Sequence, residues 1–319
     1  MGSDHAHGHG HGHGHGHGHG HVTATGRHRG RLIGVLAITG TVMLVQVAGA
    51  LASGSIALLA DAGHMLTDSA GIALALVAAV LAARPATAKR TFGLARAEIL
   101  AAAVNAAVLF GLGAYILVEA AGRLTAAAPP HLATGSMLVF GVIGLVGNLA
   151  SMLLLFSVQG DSLNLRGAFL EVVTDALTSA GVIAAALVAH LTGFTRADAI
   201  VALLIGLLIV PRALKLLRAA VDVLLEATPA HLDLQEVRAH LLSVPHVHAV
   251  HDLHAWTVTS GLAALSAHVV IDDECFTDGH APQILDVLQE RLAERFDLHH
   301  ATLQLESPAH AQHEQPAHA

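Results

Sequence analysis

From Arg31 onward the chain reads as long apolar runs broken by short polar ones, and only near residue 225 does that rhythm change. Six runs reach the roughly 20 residues that cross about 30 Å of hydrocarbon at about 1.5 Å per residue. They predict membrane-spanning helices at 31–54, 56–83, 97–122, 134–158, 167–191 and 198–217, with a very tight reversal in "GALASGSIALL" between the first two. Gly and Ala recur in every span, as in "AAAVNAAVLFGLGA" and "GVIGLVGNLAS", which permits close helix approach. After "LLEATPAHLDL" the pattern shortens. Residues 232–243 predict an amphipathic helix, 247–258 and 262–271 two strands with a turn at "TSG", 281–296 a helix and 301–306 a strand. The expected fold class is an α-helical polytopic membrane domain of six transmembrane helices followed by a small α+β domain. The expected divisions are a disordered tail at 1–29, the membrane domain at 30–220, the soluble domain at 221–308 and a disordered tail at 309–319.

Composition agrees: 54% hydrophobic and 13% charged residues with a mean hydropathy of +0.61 do not describe a soluble protein. Lys and Arg set the expected orientation. Arg27, Arg29 and Arg31 precede the first span, Arg84, Lys89, Arg90 and Arg96 lie between the second and third, Arg166 between the fourth and fifth, and Arg212, Lys215 and Arg218 follow the sixth. The other side holds only Arg123 and Arg196, so both termini are expected in the cytoplasm, in a bacterial inner or plasma membrane. No cleavable signal peptide is visible. Residues 5–21 instead place nine histidines at every second position, nearly all alternating with glycine, a segment with no apolar surface to bury and a reading as a metal-collecting tail.

The single cysteine, Cys275, excludes an internal disulfide and a thiolate cluster, so metal sites are expected to use nitrogen and oxygen ligands. Histidine is abundant, 26 residues against 16 Lys and Arg together. Charged groups at membrane depth cost about 2.5–3.5 kcal/mol each, yet "ALLADAGHMLTDSAG" carries three titratable groups inside the second span. His64 and Asp68 are four apart and share a helix face; Glu171 and Asp175 repeat that spacing in the fifth span. Two such pairs on packed helices supply one imidazole and three carboxylates to a common centre, the donor set of a divalent-cation site. Asp61 reads as a cap or access-path charge. Gln46, Asn105 and Asn148 are expected to bond between helices, with Gln46 and Asn105 also as pathway linings.

In the soluble domain "VHDLHAW" puts His251 and His254 at odd spacing on a strand, so they are expected to point to opposite faces. His268 lies in the neighbouring strand, His280 opens the next helix, and "LHHATLQLE" adds His299, His300 and Glu306. Clustered on one small sheet, these fit a cytoplasmic metal site.

"SGSIALLADAGHMLTD", "FGLARAEILAAAVNA", "NLRGAFLEVVTDALTSAGVI", "VHDLHAWT", "LSAHV" and "HATLQLE" follow one another in an order that resembles the cation diffusion facilitator family, over nearly all of residues 30–308. The resemblance implies a soluble domain of ferredoxin-like fold, a homodimer, and proton-coupled export of a divalent metal, most often zinc, with protons as counter-ion. It implies no enzymatic activity and no nucleic-acid partner. His64, Asp68 and Asp175 match the family's transport site, but Glu171 stands where zinc transporters usually carry histidine. That makes the site harder and more anionic, leaving cobalt, cadmium, manganese and iron open beside zinc. "FGLARAE" lacks the histidine often found before its arginine, so the loop metal site of some relatives is not expected. In the soluble domain His251, His268 and Glu306 match family metal positions, His280 matches more loosely, and His299 and His300 satisfy two alternative spacings. Two rival classes, a membrane-embedded metalloenzyme and a membrane-anchored metal receptor, fit less well. The first lacks HExxH and Glu-x-x-His signatures, and the second needs no ligand pairs at membrane depth.

Overall fold

The computed structural model describes residues 29–127, 131–160 and 163–313; the His-Gly segment and the last six residues lie outside the described residues. Six long helices form the first part: α1 Arg29–Ser53, α2 Ile56–Ala82, α3 Ala97–Thr125, α4 Thr134–Phe156, α5 Leu163–Thr192 and α6 Arg196–Leu224. All six are long and apolar enough to cross a membrane. Large apolar side chains such as Leu51, Val118, Leu153 and Leu191 are exposed on the outside of the bundle, as a lipid-facing surface requires.

Helix α2 holds the central position, touching α1, α3, α5 and α6, while α3 packs along α6 and α4 packs along α1 and α5. Small residues permit this. A Cβ at Gly49 would run into the Phe140 ring and one at Gly147 into Val42, so the α1–α4 seam tolerates only glycine at those points. One apolar core joins Ile56, Leu58, Ile116, Met137, Val182 and Ala202 toward the α1–α2 turn, and a smaller one joins Val35, Leu155, Leu165 and Val172 toward the other end.

The reversal between α1 and α2 is as tight as the sequence implies, with Gly54 at φ +71 supplying the left-handed residue. A side chain from α6 completes it. Asp198 Oδ2 accepts from the Ile56 amide at 2.9 Å, and its Oδ1 accepts from the Ala57 amide at 3.2 Å and from Ser55 Oγ at 2.5 Å. Arg123 donates to the Gly54 carbonyl at 2.7 Å and lies 3.9 Å from Asp198. The orphan amides at the start of α2 are thereby satisfied without water.

Span boundaries fall close to the expected ones except in α6, which runs to Leu224 instead of 217, through Pro211. Arg212, Lys215 and Arg218, expected after the span, stand on the helix itself, because a polar continuation of a helix keeps its hydrogen bonds once it leaves the apolar layer.

The second part has α7 Leu234–Leu242, β1 Val247–Thr259, β2 Leu262–Ile271, α8 Glu274–Thr277, α9 Ala281–Phe296, β3 His300–Glu306 and α10 Pro308–Ala311. The sheet order is β1-β2-β3, antiparallel then parallel. Val237 and Leu241 of α7 and Ile284, Leu288 and Leu292 of α9 bury one face of it against Val250, Leu265, Val269 and Ile271. The turn α10 lies where the expectation was a disordered tail; Ser307 Oγ accepts from the His310 amide at 3.2 Å and starts it. At the β1–β2 turn Thr259 and Ser260 donate to Glu98 at the start of α3, tying the two parts together.

Candidate metal centres

Each intramembrane pair lies on one helix face, and α2 and α5 bring the two pairs together. His64 Nε2 lies 3.3 Å from Asp68 Oδ2, and the Asp68 and Glu171 carboxyls approach within hydrogen-bonding reach across the α2–α5 contact. A cavity of about 710 Å³ is lined by Asp68, Glu171, Asp175 and Arg212, with Leu32, Val35 and Thr39 of α1 opposite. It lies toward the end of the bundle where α1 begins and α6 finishes. Arg212 Nη2 stands 3.8 Å from Glu171 Oε1.

Two polar atoms here are buried without a partner among the described residues: His64 Nδ1 and Asp175 Oδ1, on side chains in residues only 6% and 3% exposed. Leaving such an atom unsatisfied costs about 1–3 kcal/mol. Nitrogen and oxygen donors of this kind suit a divalent ion.

Asp61 has a different character from the cap or access-path charge expected of it. It is fully buried about 10 Å further along α2 than Asp68. Gln46 donates to it at 2.6 Å, Thr178 at 2.6 Å and Ser179 at 3.2 Å, and Asn148 donates to Ser179 at 3.2 Å. This knot ties α1, α2, α4 and α5 and stands between the cavity and the α1–α2 turn. Gln46 and Asn148 bond between helices as expected; Gln46 does not line the cavity, and Asn105 packs half-buried against Gly71.

In the second part Glu306, with a side chain 1% exposed, accepts at the two ends of its carboxylate. His251 Nε2 lies 3.2 Å from Oε2 and His268 Nδ1 2.7 Å from Oε1, and the two imidazole rings are 5.2 Å apart. The three offer ligand atoms within 4.8 Å of one another. His280, His299 and His300 are not brought to this group. His280 pairs with Asp278 at 2.7 Å, which together with its amide holds the Asp278 carboxyl below the usual range; His299 pairs with Asp297 at 2.9 Å, and the His300 ring meets Phe92 edge-on.

The expectation for His251 and His254 is corrected. The β1–β2 register shifts between them, with Asp252 at φ +48, so Val250 and Leu253 both enter the core. His251 is opposite His268 and His254 opposite Ser266, which puts both imidazoles on the same sheet face, away from α7 and α9. No apolar alternation announces such a bulge. The cavity-lining charge that the sequence pattern does not announce is Arg212, hidden in a cationic run that reads as a topology marker, and Pro211 beside it reads as a helix end where the helix continues.

Six spanning helices, paired cation-ligand side chains on two of them and an appended α+β domain define a polytopic membrane protein that handles metal ions. Two family models match in tandem, the cation efflux transmembrane domain over residues 32–225 and the cation efflux protein cytoplasmic domain over residues 229–308. The chain belongs to the cation diffusion facilitator family of metal cation efflux transporters, and is not an enzyme. It is 47% identical over 271 residues to the metal cation efflux system protein CzcD of Cupriavidus metallidurans, covering 85% of this chain and 84% of that one. It is 38% identical over 282 residues to the cadmium, cobalt and zinc/H(+)-K(+) antiporter of Bacillus subtilis, covering 88% and 89%. The zinc transporter ZitB of Escherichia coli is 39% identical over 283 residues, with 88% of each chain covered.

Proposed function

We propose that the protein exports a divalent metal, zinc foremost, from the cytoplasm in exchange for protons by alternating access, with both termini cytoplasmic in a bacterial plasma membrane. The observation that carries the reading is the α2–α5 cavity lined by Asp68, Glu171 and Asp175, with His64 behind it against Asp68 and with His64 Nδ1 and Asp175 Oδ1 buried without a partner among the described residues. Metal enters from the side of the soluble domain, toward which the cavity lies, and the Asp61 knot closes the far side. His64 supplies an imidazole nitrogen, and Asp68, Glu171 and Asp175 supply carboxylate oxygens. Arg212 holds Glu171 until the metal arrives. Protons compete with metal because imidazole and carboxylate coordinate only when deprotonated, so arriving protons discharge the ion.

The three relatives named above carry zinc, cadmium, cobalt or general metal efflux in their names, and one carries protons, which supports both the metal class and the coupling. The soluble domain pairs with that of a second copy and binds regulatory metal at His251, His268 and Glu306. Flux into proteoliposomes under an imposed pH gradient, screened with zinc, cobalt, cadmium, manganese and iron, tests the proposal. Metal flux that follows the gradient and is lost in Asp175→Ala supports it; metal flux indifferent to the gradient refutes the proton coupling, and no flux of any metal refutes the transport role of the site.

A further inference from the structure

The soluble domain carries a second cluster of ligand-type side chains, at the end of the β1–β2 ladder away from the hairpin turn, and the transport reading makes no use of it. His246 Nδ1 lies 2.9 Å from Asp272 Oδ2 and His248 Nε2 lies 2.5 Å from Oδ1 of the same carboxylate. Cys275 is 2% exposed and its Sγ lies within 4.8 Å of ligand atoms of His246 and Asp272. Three features of the backbone hold these positions. The Asp272 amide donates to the His246 carbonyl at 3.2 Å, the Cys275 amide donates to the Asp272 carbonyl at 3.1 Å, and the ladder shifts register at His248, between Val247 opposite Ile271 and Ala249 opposite Val270.

We propose that His246, His248, Asp272 and Cys275 form a second metal site of the soluble domain, which takes a borderline-soft divalent cation of the zinc or cadmium type. Two imidazoles, a carboxylate and a thiolate are four donors, the number a closed tetrahedral site uses. Bonds of about 2.0–2.3 Å put tetrahedral donors roughly 3.3–3.8 Å apart, so His246, Asp272 and Cys275, within 4.8 Å of one another, contract by up to about 1 Å, and His248, joined to them through Asp272, turns in as the fourth donor. An ordinary surface ion pair needs the histidines and the aspartate only; it does not need a buried sulfur at the base of the same cluster. The thiolate also separates this site from His251, His268 and Glu306, since sulfur favours softer ions than imidazole and carboxylate alone. Composition led to metal sites of nitrogen and oxygen only; one cysteine suffices here because side chains from two strand ends complete the set.

Cys275 is the only cysteine in the chain, so any thiolate-to-cobalt charge-transfer absorption reports this site and no other. The full-length protein in lipid nanodiscs, titrated with cobalt, is expected to show that absorption and to lose it when zinc is added. His246→Ala with His248→Ala, both exposed positions, should weaken cobalt binding at this band by at least the roughly 10- to 100-fold that loss of an outer partner alone costs. His251→Ala with His268→Ala should leave the band intact. Cys275→Ser should abolish it, and because the thiol is buried, the two-histidine variant with the native cysteine keeps the test independent of folding. Absence of the band in the wild type at saturating cobalt overturns the proposal, as does a band indifferent to the histidine pair. None of these outcomes depends on whether the protein transports metal.

Discussion

The α2–α5 group and the His251–His268–Glu306 group use the same kinds of side chain and leave them in opposite states. In the soluble domain Glu306 satisfies two imidazoles at once, and Gln304 donates to its Oε1 at 2.7 Å. Between α2 and α5, among the described residues, two buried atoms have no partner and three carboxylates face one cavity with a single arginine among them. A site that retains its ion benefits from ligands already held in place, since preorganisation lowers the cost of binding. A site that passes its ion on must not be complete without it. The difference supports the proposal that the one regulates and the other transports.

The comparison breaks most decisively at Asp175. Asp175→Ala is expected to cut metal flux about ten- to a hundred-fold, the cost of a charged hydrogen-bonding group at about 1.4 kcal/mol per factor of ten, with the purified variant still monodisperse. Flux within twofold of wild type would remove this group from the transport path. The counterpart, Glu306→Ala, should weaken metal binding by the soluble domain and lower that domain's stability by about 1 kcal/mol, since it removes a buried acceptor that two imidazoles share, while flux at saturating metal persists. Loss of flux at saturating metal would make that group part of the path itself. Asp61→Ala should destabilise the bundle by about 1–3 kcal/mol, because Gln46, Thr178 and Ser179 lose their common acceptor, and Asp61→Asn by less. Thermal unfolding of both in nanodiscs measures this.

Smaller effects sharpen the contrast. Glu171→His exchanges a hard oxygen donor for an imidazole and removes the partner of Arg212, so the flux ratio of zinc to manganese should rise by a few-fold or more; an unchanged ratio would show that Glu171 does not set metal choice. The smallest effect concerns Asp278, whose carboxyl is held below the usual range first by the His280 side chain and then by the His280 amide. A depressed folded-state value stabilises the fold fully above the ordinary aspartate value of about 3.9 and is lost as pH falls through the lower folded-state value. The stability gap between wild type and Asp278→Asn should therefore be largest near neutral pH and close in acid, followed by urea unfolding against pH.

The six helices were legible because a bilayer imposes length and apolarity on each span independently. The pairs His64–Asp68 and Glu171–Asp175 were legible because a polar spacing of four inside an apolar run has few other uses. What the pattern hid depends on contacts between distant residues. Asp198 caps α2 from a helix more than a hundred residues away, Asp61 finds its donors on α1 and α5, and the bulge at Asp252 exchanges sheet faces without altering composition. Arg212 belongs with these: in the sequence it marks a membrane boundary, and in the fold it faces Glu171.

The buried polar clamps of Asp198 and Asp61 both grip α2 near its start. Asp198 fastens α2 to α6, the Asp61 knot fastens α2 to α1 and α5, and both lie toward the α1–α2 turn, while further along, α2 and α5 flank the cavity and meet through Asp68 and Glu171. Such a frame behaves as tweezers, with a pivot beside Asp61 and Thr178. His64 and Asp175 sit close to the pivot, and Asp68 and Glu171 lie one helix turn further out on the lever arm. A small angular opening about that pivot therefore moves the outer pair further apart than the inner pair. Spin labels at Ser69 and Ala168 should show a wider change in separation on metal binding than labels at Ala62 and Leu177.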